Sequence, residues 1–248
     1  SWHAPAQHPP HPQPAPAPTT PQLALAADAA ARETSPLSLA RLGETLLTQL
    51  ISLHERAAIH TIAEALGVYP LEDVCDGLFA PVLGEIGQLW AVGHIGCAAE
   101  HFSSAVIRAQ LESLFRCAPQ AEGGPSLVVG CAPGNLHEIG PLILALFLRR
   151  LGVRVAYLGQ NVDAASLASL ITGGQVAGVV LSAALPEQAS ALAEVARQLG
   201  IERTPAASLY VGGRAFQQQP ALADQLPGCY LGMSAPAAAL EIKRRFAP

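Results

Sequence analysis

Charged side chains are scarce in this chain, only 13% of 248 residues, and they sum to a formal net charge of -5. That balance leaves no basic footprint for independent nucleic-acid binding. The one short basic run, Lys243-Arg244-Arg245, reads as the cation-rich end of a last helix. Cysteines are few: Cys75, Cys97, Cys117, Cys131 and Cys229 are odd in number and widely spaced, with no C-x-x-C pair. This argues against a zinc knuckle or a disulfide framework, and suits small buried hydrophobes in a reducing cytoplasm. No uninterrupted apolar run approaches the roughly 18 residues of a membrane span, and no secretory signal is visible. A start at Ser-Trp-His leaves targeting open.

What is present is apolar bulk. Half of the residues are hydrophobic, enough for one large domain or two ordinary ones. Residues 1–34 stand apart, with eight prolines in the first 21 positions followed by ALAADAAARE. Such a Pro/Ala-rich extension has polyproline character and cannot bury a core. Its His3, His8 and His11 read as solvated tail residues, with weak metal binding as the other reading, and Trp2 suits docking onto the body or a partner.

Residues 35–118 carry helical patterns throughout. SPLSLARLGETLLTQLIS opens with a Ser cap and a Pro at the first helical position. LHERAAIHTIAEALGV is expected to stop at Gly67. PLEDVCDGLFAPVLGEIGQLWAVG begins with Pro70 and acidic residues, and CAAEHFSSAVIRAQLESLFR is the fourth helix. Four helices with short turns imply an antiparallel bundle. After AEGGP the rhythm changes, and from 125 to 248 short apolar strands alternate with helices. This is an α/β pattern, a Rossmann-like or flavodoxin-like parallel sheet. Ligands in such sheets bind beyond the carboxyl ends of the strands, so the loops 131–139, 159–163, 182–187 and 212–217 hold the candidate site.

The first of these loops contains His137, either a capping residue or a metal ligand projecting from the binding edge. Ser182 follows the third strand, and Gly212-Gly213 follow the fourth, where paired glycines permit a flat ligand to approach the backbone. The run N-L-H-E-I-G, 135–140, resembles the D-x-H-x-x-G signature of base-off, His-on cobalamin-binding domains. Forty-one residues separate Gly140 from Ser182 and 27 separate Ala184 from Gly212, gaps similar to those before the S-x-L and GG motifs of that family. The resemblance covers 125–248. It implies His137 as the lower cobalt ligand, with Ser182, Leu185, Gly212 and Gly213 around the nucleotide tail. Asn135 stands where the family keeps an acid, and Ala184 replaces Leu. A carboxylate would raise the basicity of the imidazole; Asn135 can orient the ring but brings no charge.

Within the helical region, Trp90, nine intervening residues and then Glu100-His101 resemble the W-x9-E-H motif of CarH-like light-sensing regulators. The bland reading is a core Trp and a polar helix face. The resemblance implies that Trp90 covers the upper axial adenosyl group of adenosylcobalamin and that Glu100 accepts its ribose hydroxyls or base amine. The family's light-state ligand, a His directly after the Trp, is Ala91 here. His94 lies three residues on, near the same helix face, and His101 is the other candidate.

CarH regulators also begin with a DNA-binding winged helix, which residues 1–34 do not resemble. The layout is similar to stand-alone sensors of the antirepressor type and to photocobilins, which add a bilin such as biliverdin. The expectation is a non-enzymatic photoreceptor acting through a homo-oligomer (dimer or tetramer) or a transcription factor or signalling partner, with no direct DNA or membrane contact. The competing expectation is a corrinoid carrier protein of a methyltransferase system, whose helical cap this bundle also resembles.

Overall fold

The computed structural model describes residues 38–123, 126–172, 176–201, 209–232 and 234–246. The expected N-terminal extension, with Trp2, His3, His8 and His11, lies outside them, as do Ser35 and Pro36. The first helix, α1, runs Leu39–Ile51 and is capped by Ser38, whose hydroxyl accepts the Arg41 amide at 3.4 Å. Its Leu42, Leu46 and Leu50 recur every fourth residue and are buried, which fixes the inward face. Helix α2 is Glu55–Val68. It passes through Gly67, the expected stop, and ends at Tyr69 because Pro70 disfavours a helical conformation for the residue before it.

The third helical stretch is continuous but not uniform. It runs as α3 (Leu71–Val74), a π-helical turn (Cys75–Phe79) and α4 (Ala80–Ala91). A Cβ at Gly77, inside the π turn, would stand 2.9 Å from Leu39 Cδ1, so glycine lets the start of α1 pack directly on this turn. Helix α5 (Cys97–Cys117) completes the bundle. No helix among the described residues is long and apolar enough to cross a membrane.

The second half is a five-stranded parallel sheet. Its strands are β1 (Ser126–Cys131), β2 (Val155–Gly159), β3 (Val176–Ser182), β4 (Leu209–Gly212) and β5 (Cys229–Tyr230). The order β2-β1-β3-β4-β5 is the flavodoxin-like one. The helices are α6 (Ile139–Arg150), α7 (Ala164–Thr172), α8 (Pro186–Gln198), α9 (Arg214–Gln218), α10 (Ala221–Asp224) and α11 (Ala235–Phe246). Period-two alternation divides the sheet into faces. Val128, Val179, Leu181, Leu209 and Val211 pack with α7 and α8, whereas Leu127, Val129, Val180 and Tyr210 pack with α6 and α11.

The bundle joins that second face. Its buried leucines and those of α6 form one apolar core, so the two expected units, 35–118 and 125–248, share an interior. Helix α6 is accordingly not amphipathic: Pro141 through Leu148 are all buried, between the sheet on one side and the bundle on the other. Arg149 closes the junction. Its guanidinium donates to the Phe115 carbonyl at 3.0 Å and the Val155 carbonyl at 3.3 Å, and its Cζ lies 3.6 Å from the Phe115 ring centroid. Burial holds its pKa below the usual arginine value.

Candidate cobalamin site

Strands β1 and β3 are neighbours, and β1 also pairs with β2 on its other side. The chain leaves β1 at this switch point, where a crevice opens in doubly wound sheets. The exit loop is held by Asn135, which is fully buried. Its side-chain amide donates to the Ser182 carbonyl at 2.6 Å, and its Oδ1 accepts the His137 backbone amide at 3.0 Å. Asn135 therefore fixes the backbone beneath His137. The sequence-based expectation that it orients the imidazole is corrected: both ends of the amide are engaged by main chain. The His137 ring is exposed and makes no hydrogen bond to the described residues.

Gln188 locks the neighbouring loop. It is 7% exposed, its Oε1 accepts the amides of Ala184 and Leu185 at 2.9 and 3.0 Å, and its amide nitrogen donates to the Gly134 carbonyl at 3.0 Å. One side chain thus ties the loop after β3 to the loop after β1. The only sequence signal for it is its place just behind Pro186 in the first turn of α8, where a Gln commonly caps its own helix.

Beyond the ends of β3 and β4, between α6 and α11, lies a cavity of about 340 Å³. That is the low end of the range for small-molecule sites. His137 stands at it with Gly140, Ser182, Ala184, Gly212 and Gly213, so the structure brings together the residues taken from three separate motifs. Leu185 is not among them: as the N-cap of α8 it is 37% exposed, and Ala184 takes the place at the wall. Gly213 has φ +107°, and a Cβ there would fall 2.3 Å from the Ala183 carbonyl and 2.7 Å from Ser182 Oγ. A Cβ at Gly212 would meet nothing within 4 Å. The first glycine keeps the cavity open, and the second permits the turn that shapes it. Arg214, Gln217 and Ser234 also line the cavity; the first two lie in the 212–217 loop marked by the strand pattern, although no motif singles them out, and Ser234 lies outside every loop so marked.

Under the loop sits a polar junction. Glu138, adjacent to His137, accepts the Tyr157 hydroxyl at 3.1 Å and lies 3.7 Å from Arg108 Nε on α5. Burial, then the Glu138 charge, pushes the Tyr157 phenol well above its usual range. Burial and then Glu138 push the Cys131 thiol up to about 12, which makes it an inert floor for the loop.

On the bundle, Trp90 is the penultimate residue of α4 and is 50% exposed. Glu100, in the first turn of α5, has both oxygens engaged: Oε1 accepts the Ser104 hydroxyl at 2.9 Å and Oε2 lies 2.6 Å from His101 Nδ1. The other ring nitrogen of His101 lies 3.3 Å from Cys97 Sγ. Glu100, Ser104 and Arg108 follow at spacings of four along one side of α5, a line that ends on Glu138. His94 is not on a helix. The α4 helix stops at Ala91, Gly93 turns with φ +77°, and His94 sits exposed in the Val92–Gly96 turn. Its expected place on the helix face is corrected, because the chain reverses there, yet its imidazole is unengaged among the described residues.

Among the described residues no group of three or more His, Cys, Asp or Glu side chains is arranged to hold a metal ion. A single imidazole at a cavity mouth instead suits a metal whose other ligands arrive with a macrocycle. The residues present fit that group: a free His137 ring, a glycine-walled cavity beside it, and hydroxyl and amide donors within.

Residues 125–241 match the B12 binding domain, and residues 42–114 match a second B12 binding domain model. Over 183 residues, 74% of the chain, the sequence is 31% identical to the HTH-type transcriptional repressor CarH of Myxococcus xanthus. Over 127 residues it is 33% identical to the HTH-type transcriptional repressor CarA of the same organism. The chain spans 61% and 42% of these two relatives. A monomethylamine corrinoid protein of Methanosarcina barkeri shares the fold, with a TM-score of 0.68 over 82% of this chain and 97% of that one, at 16% identity.

Proposed function

We propose that this cobalamin-binding chain, a B12 binding domain capped by a second B12 binding region, is a light sensor that uses adenosylcobalamin as its chromophore. The observation that carries the reading is the pairing, in one molecule, of the W-x9-E-H cap with the free His137 imidazole beside the cavity. Bound cobalamin would supply a light-absorbing corrin and a cobalt–carbon bond that light breaks. The chain supplies the rest. His137 would ligate the cobalt, on a loop whose backbone Asn135 holds. Ser182, Gly212 and Gly213 receive the tail. Trp90, half-exposed, would cover the adenosyl group, and Glu100, pre-positioned by Ser104 and His101, would accept its hydroxyl or amine donors.

Loss of the adenosyl group would leave Trp90 and Glu100 without what they hold, and the cap would then be free to move. Its output is a change in self-association or in binding to a transcription factor or other signalling protein. Its role is sensing, without catalysis. Biliverdin as a second chromophore belongs to the same reading, and the absorption spectrum decides it. The test is the spectrum of the protein loaded with adenosylcobalamin, in the dark and after green illumination. The expected result is conversion of the spectrum with release of the adenosyl group. A spectrum indifferent to light would sink the proposal, and red absorption outside the corrinoid bands would reveal a bilin.

A second reading, a corrinoid carrier for a methyltransferase, draws on the half-exposed Trp90 and on the fold shared with the Methanosarcina barkeri corrinoid protein. It predicts preference for methylcobalamin, methyl transfer to a partner, and no response to light.

A further inference from the structure

The cavity beside His137 has a one-sided polar character. Among the described residues no Asp or Glu lines it, and its charged member is Arg214. Arg214 follows Gly213, whose φ of +107° turns the chain so that α9 begins at the cavity. Gln217, three residues on, lies on the same side of this short helix and also lines the cavity. Arg214 is exposed and has no carboxylate partner among the described residues. Several arginines elsewhere on the surface are paired instead: Arg197 with Glu194, and Arg244 and Arg245 with Glu241. Ser182 and Ser234 add hydroxyls, while Leu144, Val180, Leu231 and Ala238 supply apolar wall. A ligand that fits carries an apolar ring for the wall and an anionic oxygen group for the guanidinium.

We infer that Arg214, supported by Gln217, is the anion anchor of this cavity and binds the phosphodiester of the cobalamin nucleotide tail. It thereby makes the chain selective for complete cobalamins over tail-less cobinamides. The inference rests on the cobalamin reading and adds a specificity-determining residue to it. Guanidinium groups suit phosphate oxygens because their planar fork donates two parallel, charge-assisted hydrogen bonds. A phosphodiester keeps its single negative charge across the working pH range, so recognition here would not titrate with pH.

The test is equilibrium binding of hydroxocobalamin and of cobinamide to the wild-type chain and to Arg214→Gln, Arg214→Lys and Gln217→Ala, with circular dichroism to verify folding. Arg214 is exposed, so the variants are expected to fold. A charge-assisted hydrogen bond corresponds to about a tenfold to hundredfold change in affinity. The expected result is that loss for hydroxocobalamin in Arg214→Gln, a smaller loss in Arg214→Lys, and unchanged cobinamide binding in both. Adenosine monophosphate at millimolar concentration should compete poorly, since it lacks the corrin; strong competition would make the cavity a free-nucleotide site and overturn the assignment. Hydroxocobalamin binding that is unchanged in Arg214→Gln would overturn it too. Equal losses for both corrinoids would show a structural role and do the same. A wild-type chain that binds neither corrinoid would remove the cobalamin reading, and this inference with it.

Discussion

Arg108 on the bundle and Glu138 on the loop after β1 face one another, Nε to Oε1, at 3.7 Å, and Glu138 is the residue next to His137. The same carboxylate accepts the Tyr157 hydroxyl. A cap helix, a ligand loop and a strand therefore meet on one side chain. Arg108 is 42% exposed, so solvent screens its share, and Arg108→Gln should cost less than about 1 kcal/mol in urea unfolding. Tyr157→Phe removes a donor from the less exposed carboxylate and should cost about 1 kcal/mol. If Tyr157→Phe proves neutral, the junction is not a structural tie.

The two adjacent glycines of the cavity should behave oppositely. Gly213→Ala forces an alanine into φ +107° and against the Ala183 carbonyl, a strain of about 1–3 kcal/mol before any clash. Thermal unfolding should reveal it. Gly212→Val, at a position with open space around it, should leave the melting temperature close to that of the wild type. Its bulk in the cavity should weaken cobalamin binding at least about tenfold, a loss of order 1.4 kcal/mol. A Gly212→Val chain with full affinity would place the tail elsewhere.

Asn135→Asp restores the acid found in the resembled motif, and here it should be harmful. The amide that donates to the Ser182 carbonyl at 2.6 Å would become a buried acceptor facing an acceptor. Loss of that buried bond should destabilise the chain by about 1–3 kcal/mol at neutral pH. Denaturant titration of the cofactor-free protein measures this, and equal stability of the two chains would refute the geometry.

The cysteines should sort by environment. Cys97 and Cys117 are exposed, and Cys75 and Cys131 are buried. Burial pushes each buried thiol up to about 12 from 9.0. A thiol reagent at pH 8 should therefore titrate Cys97 and Cys117 in the native protein, and Cys75 and Cys131 only after unfolding. The linkage has a definite sign. Well below pH 9 these two thiols are protonated in both states and contribute no pH dependence. Between about 9 and about 12 the unfolded chain ionises them while the folded chain does not, so stability falls as pH rises. A flat stability profile across that window would contradict the burial.

The two candidate light-state ligands are not equivalent. Both ring nitrogens of His101 are engaged, by Glu100 and Cys97, whereas His94 occupies a glycine-flanked turn with its ring free. Under the proposed function, His94→Ala should alter the absorption spectrum reached after illumination, and His101→Ala should mainly weaken dark binding of adenosylcobalamin by releasing Glu100. The reverse pattern would assign capture to His101. Identical light spectra in both variants would leave the site to water.

Much of this was legible in the sequence. The strands announced themselves as short apolar runs, and the motif glycines and Ser182 fell at their ends, where a parallel sheet opens. The rest depends on contacts between distant positions. Asn135 reads as a weakened ring-orienting residue until its amide is seen bonded to a carbonyl 47 residues away. Gln188 reads as an ordinary first-turn residue until its reach to Gly134 is seen. Strand β5 and helices α9 and α10 escaped because two to five residues are too few for any periodicity to register. His94 reads as helical because the sequence pattern does not show that Ala91 ends the helix. Leu185 reads as a wall residue because spacing alone cannot say which of two neighbours faces inward, and Ala184 is the one that does.

Helix α6 is buried along both sides, from Pro141 to Leu148. A cap that swings away would therefore strip cover from an apolar helix and present that surface to water. Area of that kind is seldom left bare in a soluble molecule. Motion of the cap and recruitment of another surface are thus thermodynamically linked: the open form should gain population with protein concentration, and dilution should favour closure. Under the proposed function, the position of the cap would be read out as association.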